Sequence, residues 1–122
     1  MIGFVTVGTN DMDRASTFYD ALFATIGAKR LSDNERFKAW GMAAGTPRVT
    51  VVKPYDGSAA TVGNGNMVAL TMESREQVNA MHAKALALGG ADEGAVGLRG
   101  ETFYAGYFRD LDGNKFVAFK VG

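Results

Sequence analysis

The chain has no cysteine, a single histidine and no long apolar run. Without cysteine there are no disulfides, no thiolate metal sites and no cysteine nucleophile. That fits a reducing cytoplasm, which is the expected location. An excess of one charge sign is also missing. Thirteen Lys and Arg balance thirteen Asp and Glu, and the basic residues are scattered. Neither nucleic acid nor an anionic membrane is therefore expected as a partner. No apolar stretch approaches the roughly 18 residues of a membrane helix. Met1–Val7 is apolar, but it lacks a basic flank and soon meets Asn10 and Asp11, so it reads as a strand rather than a signal peptide. With one histidine and no Gly-x-Ser-x-Gly elbow, a Ser-His-Asp hydrolase is not expected.

The 122 residues, 47% hydrophobic and 21% charged, suit one globular domain with one core. Sixteen glycines cluster between periodic segments, as in a hairpin-rich protein. Ile2–Gly8 reads as a strand. Asp11 offers a helix N-cap, Ala15, Phe18, Tyr19, Leu22, Phe23 and Ile26 follow at helical spacing, and Gly27 supplies the stop. Ala28–Leu31, Arg36–Gly41 and Arg48–Lys53 are three further strands. After a polar connector the order repeats. Asn66–Met72 is a strand, and Ser74 to Gln77 has capping-box form. Val78, Met81, His82, Ala85 and Leu88 keep helical spacing up to Gly89-Gly90. Thr102–Arg109 and Lys115–Val121 are strands around an Asp110–Asn114 turn, with a weaker strand near Ala95–Leu98.

The halves align at an offset of 63 residues. Four of the 25 pairs from Phe4 to Ala28 are identical. The repeat therefore rests on the shared order of strand, cap, apolar helix face and glycine stop.

Several local motifs have a bland reading beside a functional one. Asp110-Leu-Asp-Gly-Asn places glycine and acid wrongly for an EF-hand, so it reads as a hairpin turn. In that turn Gly113 would adopt a positive φ, and Asp side chains would accept from backbone amides. Gly63-Asn64-Gly65 precedes a strand rather than a helix, so it is a joint between units or a flexible cleft edge, not a phosphate loop. His82 reads as a half-buried helix residue with a local hydrogen bond. Arg99 and Glu101 read as a solvated pair, with Arg99 as an alternative border of a cleft.

Three stretches resemble the glyoxalase/bleomycin-resistance/dioxygenase superfamily, also called vicinal oxygen chelate. They are Ile2–Leu22 (IGFVTVGTNDMDRASTFYDAL), Met67–Gly90 and Tyr107–Phe119 (YFRDLDGNKFVAF), the last being the most specific. The resemblance implies an α+β fold. Two tandem βαβββ units would form a curved mixed sheet around a cleft, with units at 1–55 and 66–122 joined by a 56–65 connector. It also implies a homodimer. Enzymes of the family hold a divalent metal with four His, Glu or Gln side chains, two from each unit. The corresponding positions here are Phe4, Thr50, Met67 and Val117. Phenyl, hydroxyl, thioether and isopropyl groups do not make a hard divalent site, so neither metal nor cofactor is expected.

Alternation along strands then assigns the cleft. Phe4, Thr6, Arg48, Thr50, Met67, Phe103, Tyr107 and Val117 would face it, with Trp40 joining them from the third strand. Such a cleft is aromatic and apolar, with Arg48, Thr50 and Tyr107 as polar handles. Three readings stay open. One is metal-independent binding of a small, partly aromatic or apolar molecule. Another is a lyase or dioxygenase of the glyoxalase type with an unusual or absent metal site and unknown catalytic residues. The third is an interaction module whose cleft is fully packed.

Overall fold

A computed structural model describes all 122 residues. The order is β1 (Phe4–Gly8), α1 (Met12–Ala24), β2 (Lys29–Asp33), β3 (Phe37–Gly41), β4 (Arg48–Val52), β5 (Val68–Thr71), α2 (Arg75–Ala87), β6 (Ala91–Arg99), β7 (Phe103–Arg109) and β8 (Lys115–Val121). This is the βαβββ pattern stated twice. The two helices occupy spans displaced by 63 residues at both ends. No helix is long and apolar enough to cross a membrane.

Local chemistry fixes both helices. The Asp11 carboxylate accepts from the Arg14 N–H at 3.0 Å, which satisfies an otherwise unpaired donor of the first turn. Beyond the last turn, Gly27 takes φ 77° and the Ala28 N–H returns to the Phe23 carbonyl. In α2 the Ser74 hydroxyl accepts from the Gln77 N–H at 3.1 Å. The Gln77 side chain reaches back to the Glu73 N–H, one residue before the usual capping-box donor.

The strands form two four-stranded sheets, ordered β1-β4-β3-β2 and β5-β8-β7-β6. β1 and β4 run parallel, as do β5 and β8, while the remaining pairs are antiparallel. No ladder joins β1 to β5, so the curved surface has a seam at its middle. The weak strand near Ala95–Leu98 is the end of a longer one. β6 starts at Ala91 but shifts register between Asp92 and Gly94 and again between Gly94 and Gly97. Two bulges and two glycines, Gly94 and Gly97, erase the alternation that marks a strand.

One apolar core serves both units. Phe18, Tyr19, Leu22 and Phe23 of α1 meet Val78, Met81 and Ala85 of α2, above Val49, Val51, Phe108, Phe116 and Ala118 of the sheets. Tyr19 and Phe116 bring the two halves together, with ring centroids 6.0 Å apart.

The Asp110–Asn114 turn ties the units by polar contacts. Asp110 accepts from the Asp112 and Asn114 amides, and Gly113 has φ 89°, as a tight hairpin requires. The same side chains also reach the first unit. Asp110 accepts from the Tyr19 hydroxyl, and Asp112 from the Thr9 hydroxyl at 2.6 Å and the Asn10 N–H at 3.0 Å. Asn114 donates to the Gly8 carbonyl at 2.9 Å. The connector is held as well, through reciprocal hydrogen bonds between Asn10 and the Ala60 backbone.

Candidate functional site

Val5, Val7, Val49, Val51, Val68 and Leu70 pack toward the helices. Alternation therefore sends Phe4, Thr6, Arg48 and Thr50 to the opposite, concave face of the first sheet. In the second sheet the same face carries Ala69, Phe103, Ala105, Tyr107, Val117 and Phe119, through the cross-strand pairs Ala69–Val117, Tyr107–Val117 and Ala105–Phe119.

Trp40 does not join them. It pairs with Val49 in the β3–β4 ladder, so it shares that residue's helix-facing side. The ring is 1% exposed, packs on Tyr19 and Phe23, and donates its indole N–H to Asp20 at 2.8 Å. Arg30 covers its face at 5.5 Å. Trp40 is a core residue, and the cleft loses it.

The remaining positions separate by depth. Thr50 and Val117 lie on the floors of their sheets, 5% and 1% exposed. Phe4 and Met67 stand at the seam edges, 63% and 45% exposed. Phe103 stacks on Phe119 at one end of the second sheet, with centroids 5.1 Å apart. Arg48 donates to the Ser32 hydroxyl at 2.9 Å and has no carboxylate partner.

Arg99 does not pair with Glu101. Its guanidinium donates to the carbonyls of Gly97, Ala105 and Ala95, which plugs the bulges of β6. It thereby lies 5.3 Å from the Tyr107 ring centroid, with the Lys115 ammonium 5.7 Å from the same centroid.

A recess of about 420 Å³ opens at the seam. Thr6 and Met67 line it together, and Phe4 lies outside its lining. Gly63, Gly65 and Asn66 form one wall, and Arg109, Asn114 and Lys115 another. The glycine joint thus borders the site. A second recess of about 450 Å³ lies toward the helices, lined by Val5, Phe23, Trp40, Val68 and Leu70, with Arg48 at its edge. Phe4, Thr50, Phe103, Tyr107 and Val117 line neither.

Arg109 and Lys115 are the site residues that sequence reasoning missed. The signal was available, because Tyr107 and Arg109 share a face, as do Val117 and Lys115. Continuing the inward alternation by one step past each end of the hairpin would have found two cations.

The positions that correspond to metal ligands hold Phe4, Thr50, Met67 and Val117, and nowhere do three His, Cys, Asp or Glu side chains gather. These donors do not fit a divalent cation.

His82 lies on α2, its Nε2 3.2 Å from an Asp92 carboxylate oxygen and 3.1 Å from the Tyr107 carbonyl. It packs over Gly106 on the helix side, away from the seam. Asp92 is held below its ordinary value of 3.8. The Gly94 N–H lowers it most, desolvation opposes, and His82 lowers it further. Tyr19 moves the other way. Burial, then the charge of Asp110 and its hydrogen bond, push the phenol well above 10.0.

Paired βαβββ units, back to back on a shared core and open on their other faces, define the class of this protein. The chain belongs to the Glyoxalase/Bleomycin resistance protein/Dioxygenase superfamily, whose model matches residues 1–118. A glyoxalase/bleomycin resistance protein from Albidiferax ferrireducens T118 is 34% identical, with a TM-score of 0.91 over 100% of this chain and 99% of its own. The hypothetical protein SA1046 from S. aureus is 23% identical, with a TM-score of 0.75 over 98% of this chain and 92% of its own. Lactoylglutathione lyase from Agrobacterium tumefaciens shares the fold at 18% identity, with a TM-score of 0.71 over 98% of this chain and 92% of its own. No curated protein matches the sequence.

Proposed function

We propose that the chain binds a small, partly aromatic or apolar organic molecule along the concave seam, without a metal. One observation carries the reading. The scaffold keeps the symmetry-related positions of a chelating site but fills them with Phe4, Thr50, Met67 and Val117. Side chains of this kind supply contact area rather than lone pairs for a cation. The seam recess, which Met67 of these four lines, offers a concave surface of ligand size.

The test is elemental analysis of protein purified without chelator, joined to a thermal-shift screen of aromatic and apolar compounds with and without EDTA. The expected result is no stoichiometric metal and saturable stabilisation that EDTA leaves unchanged. Stoichiometric metal, lost on mutating a concave-face residue, would overturn the reading.

We further infer a homodimer. The unpaired β1 and β5 edges and the exposed Ile2, Phe4 and Met67 support it. Light scattering should report twice the 13.0 kDa chain mass, and a monomer at micromolar concentration would refute it. A cytoplasmic location accords with the absence of cysteine.

A further inference from the structure

We propose that the seam recess is an anion subsite, in which Lys115 and Arg109 hold the carboxylate or other oxyanion group of the small molecule. The inference rests on the small-molecule reading above and adds the chemical class of the ligand.

Lys115 and Arg109 are directly opposed in the β7–β8 ladder and both border the recess. Like charges so placed repel, and the fold tolerates them only at a cost to stability. Glu93 pairs with Arg109 through Nε, and the Gly113 carbonyl accepts from Nη1 at 2.8 Å. Arg109 Nη2 is left without a hydrogen-bond partner. Lys115 has neither a carboxylate nor a hydrogen-bond partner. No Asp or Glu lines the recess or the adjoining space of about 710 Å³ along residues 62–67.

The rest of the lining suits an oxyanion. Thr6 and Asn66 bring a hydroxyl and an amide donor, and Gly65 leaves the backbone open to close approach. A charge seated here would relieve the repulsion between two cations and form charge-assisted hydrogen bonds with both. The Lys115 ammonium lies 5.7 Å from the Tyr107 ring centroid, a contact that leaves its charge without an anionic partner.

The experiment follows backbone amides by NMR while the full chain is titrated with benzoate, inorganic phosphate and neutral benzamide at matched ionic strength. The expected result is saturable shifts of Gly65, Asn66 and Lys115 with benzoate or phosphate but not benzamide. Lys115→Gln should weaken the response at least tenfold, and Lys115→Arg should retain most of it. The Gln variant should also melt no lower than the parent in chloride, because it removes the repulsion, so lost binding is not lost folding. Silence of these amides toward both anions, or unchanged binding by Lys115→Gln, overturns the subsite. Equal binding of benzamide at the same amides also overturns it, while leaving the small-molecule reading intact.

Discussion

Removing one oxygen from the core tests how the two units are held together. Tyr19→Phe deletes the hydroxyl and keeps the ring, with its contacts to Phe18, Phe23, Trp40 and Phe116. What is lost is a buried hydrogen bond to the Asp110 carboxylate. A hydrogen bond to a charged partner is worth about 1.5–3 kcal/mol. Asp110 keeps the Asp112 and Asn114 amides and the Asn114 side chain, at 2.8–3.0 Å, so the carboxylate is not orphaned. The expected cost is therefore near the middle of that range, about 2 kcal/mol. Asp110→Ala should cost more, about 3–5 kcal/mol, because it strands the phenol and two backbone amides together. The double variant should fall short of the sum by about 1 kcal/mol or more. Urea unfolding read by the fluorescence of Trp40, the one tryptophan, measures all three. A second readout comes from alkali. The folded state keeps Tyr19 protonated above 10.0, while the unfolded chain ionises there. Its contribution is thus whole below pH 10 and lost as pH rises further, and Tyr19→Phe should abolish that loss. A Tyr19→Phe variant within 0.5 kcal/mol of the parent and additive with Asp110→Ala would refute the account.

Four further outcomes follow from single contacts. A Cβ at Gly90 would sit 2.6 Å from the Arg109 carbonyl oxygen and 2.8 Å from that of Ala85. Gly90→Ala must move backbone, and should cost about 3 kcal/mol by thermal or urea unfolding. At Gly106 the obstacles are side chains, Val96 at 2.7 Å and His82 at 3.0 Å, so Gly106→Ala should cost less, about 1–2 kcal/mol. Asp92 contributes stability above 3.8 that disappears as pH falls toward its lowered folded value. The melting temperatures of parent and Asp92→Asn should therefore converge as pH drops from about 5 to about 2. Trp40 should emit in the blue and stay unchanged when benzoate fills the seam recess, because it lies on the helix side of its sheet. Strong quenching would return it to the cleft.

What was legible in the sequence was mostly local. Asp11, Ser74 and Gln77 announce the helix starts because capping is decided within four residues. The 63-residue displacement holds at both ends of the helices because a cap, an apolar face and a stop recur as a set. The concave face was legible where strands alternate cleanly, as in β1, β4 and β8. Trp40 escaped because its side of the sheet depends on the β3–β4 register, a non-local fact, and a one-residue change inverts it. β6 escaped in part because its bulges remove the period on which the reading depends. Arg109 and Lys115 escaped for another reason. They flank a turn, and charged residues beside a turn usually face solvent.

The Asp110–Asn114 turn was the most specific motif of the sequence, and its conservative reading as a hairpin was correct but incomplete. The turn also fixes the width of the seam. Gly8 and Asn114 both border the recess, and a hydrogen bond of 2.9 Å from the Asn114 amide to the Gly8 carbonyl joins them. The next residue along β8 is Lys115, so the contact that latches β1 also positions a cation of the proposed subsite. Asn114→Ala should therefore act on both levels. It removes the bond to Gly8 and one of the donors to Asp110, at about 1–2 kcal/mol of stability. It should also weaken benzoate or phosphate binding, because Thr6 and Lys115 are then held less firmly across the recess. Lys115→Gln should weaken binding alone. Urea midpoints and NMR titrations of the two variants separate these effects. If Asn114→Ala lowers stability but binds anion as the parent does, the turn is a structural latch and the recess geometry does not depend on it.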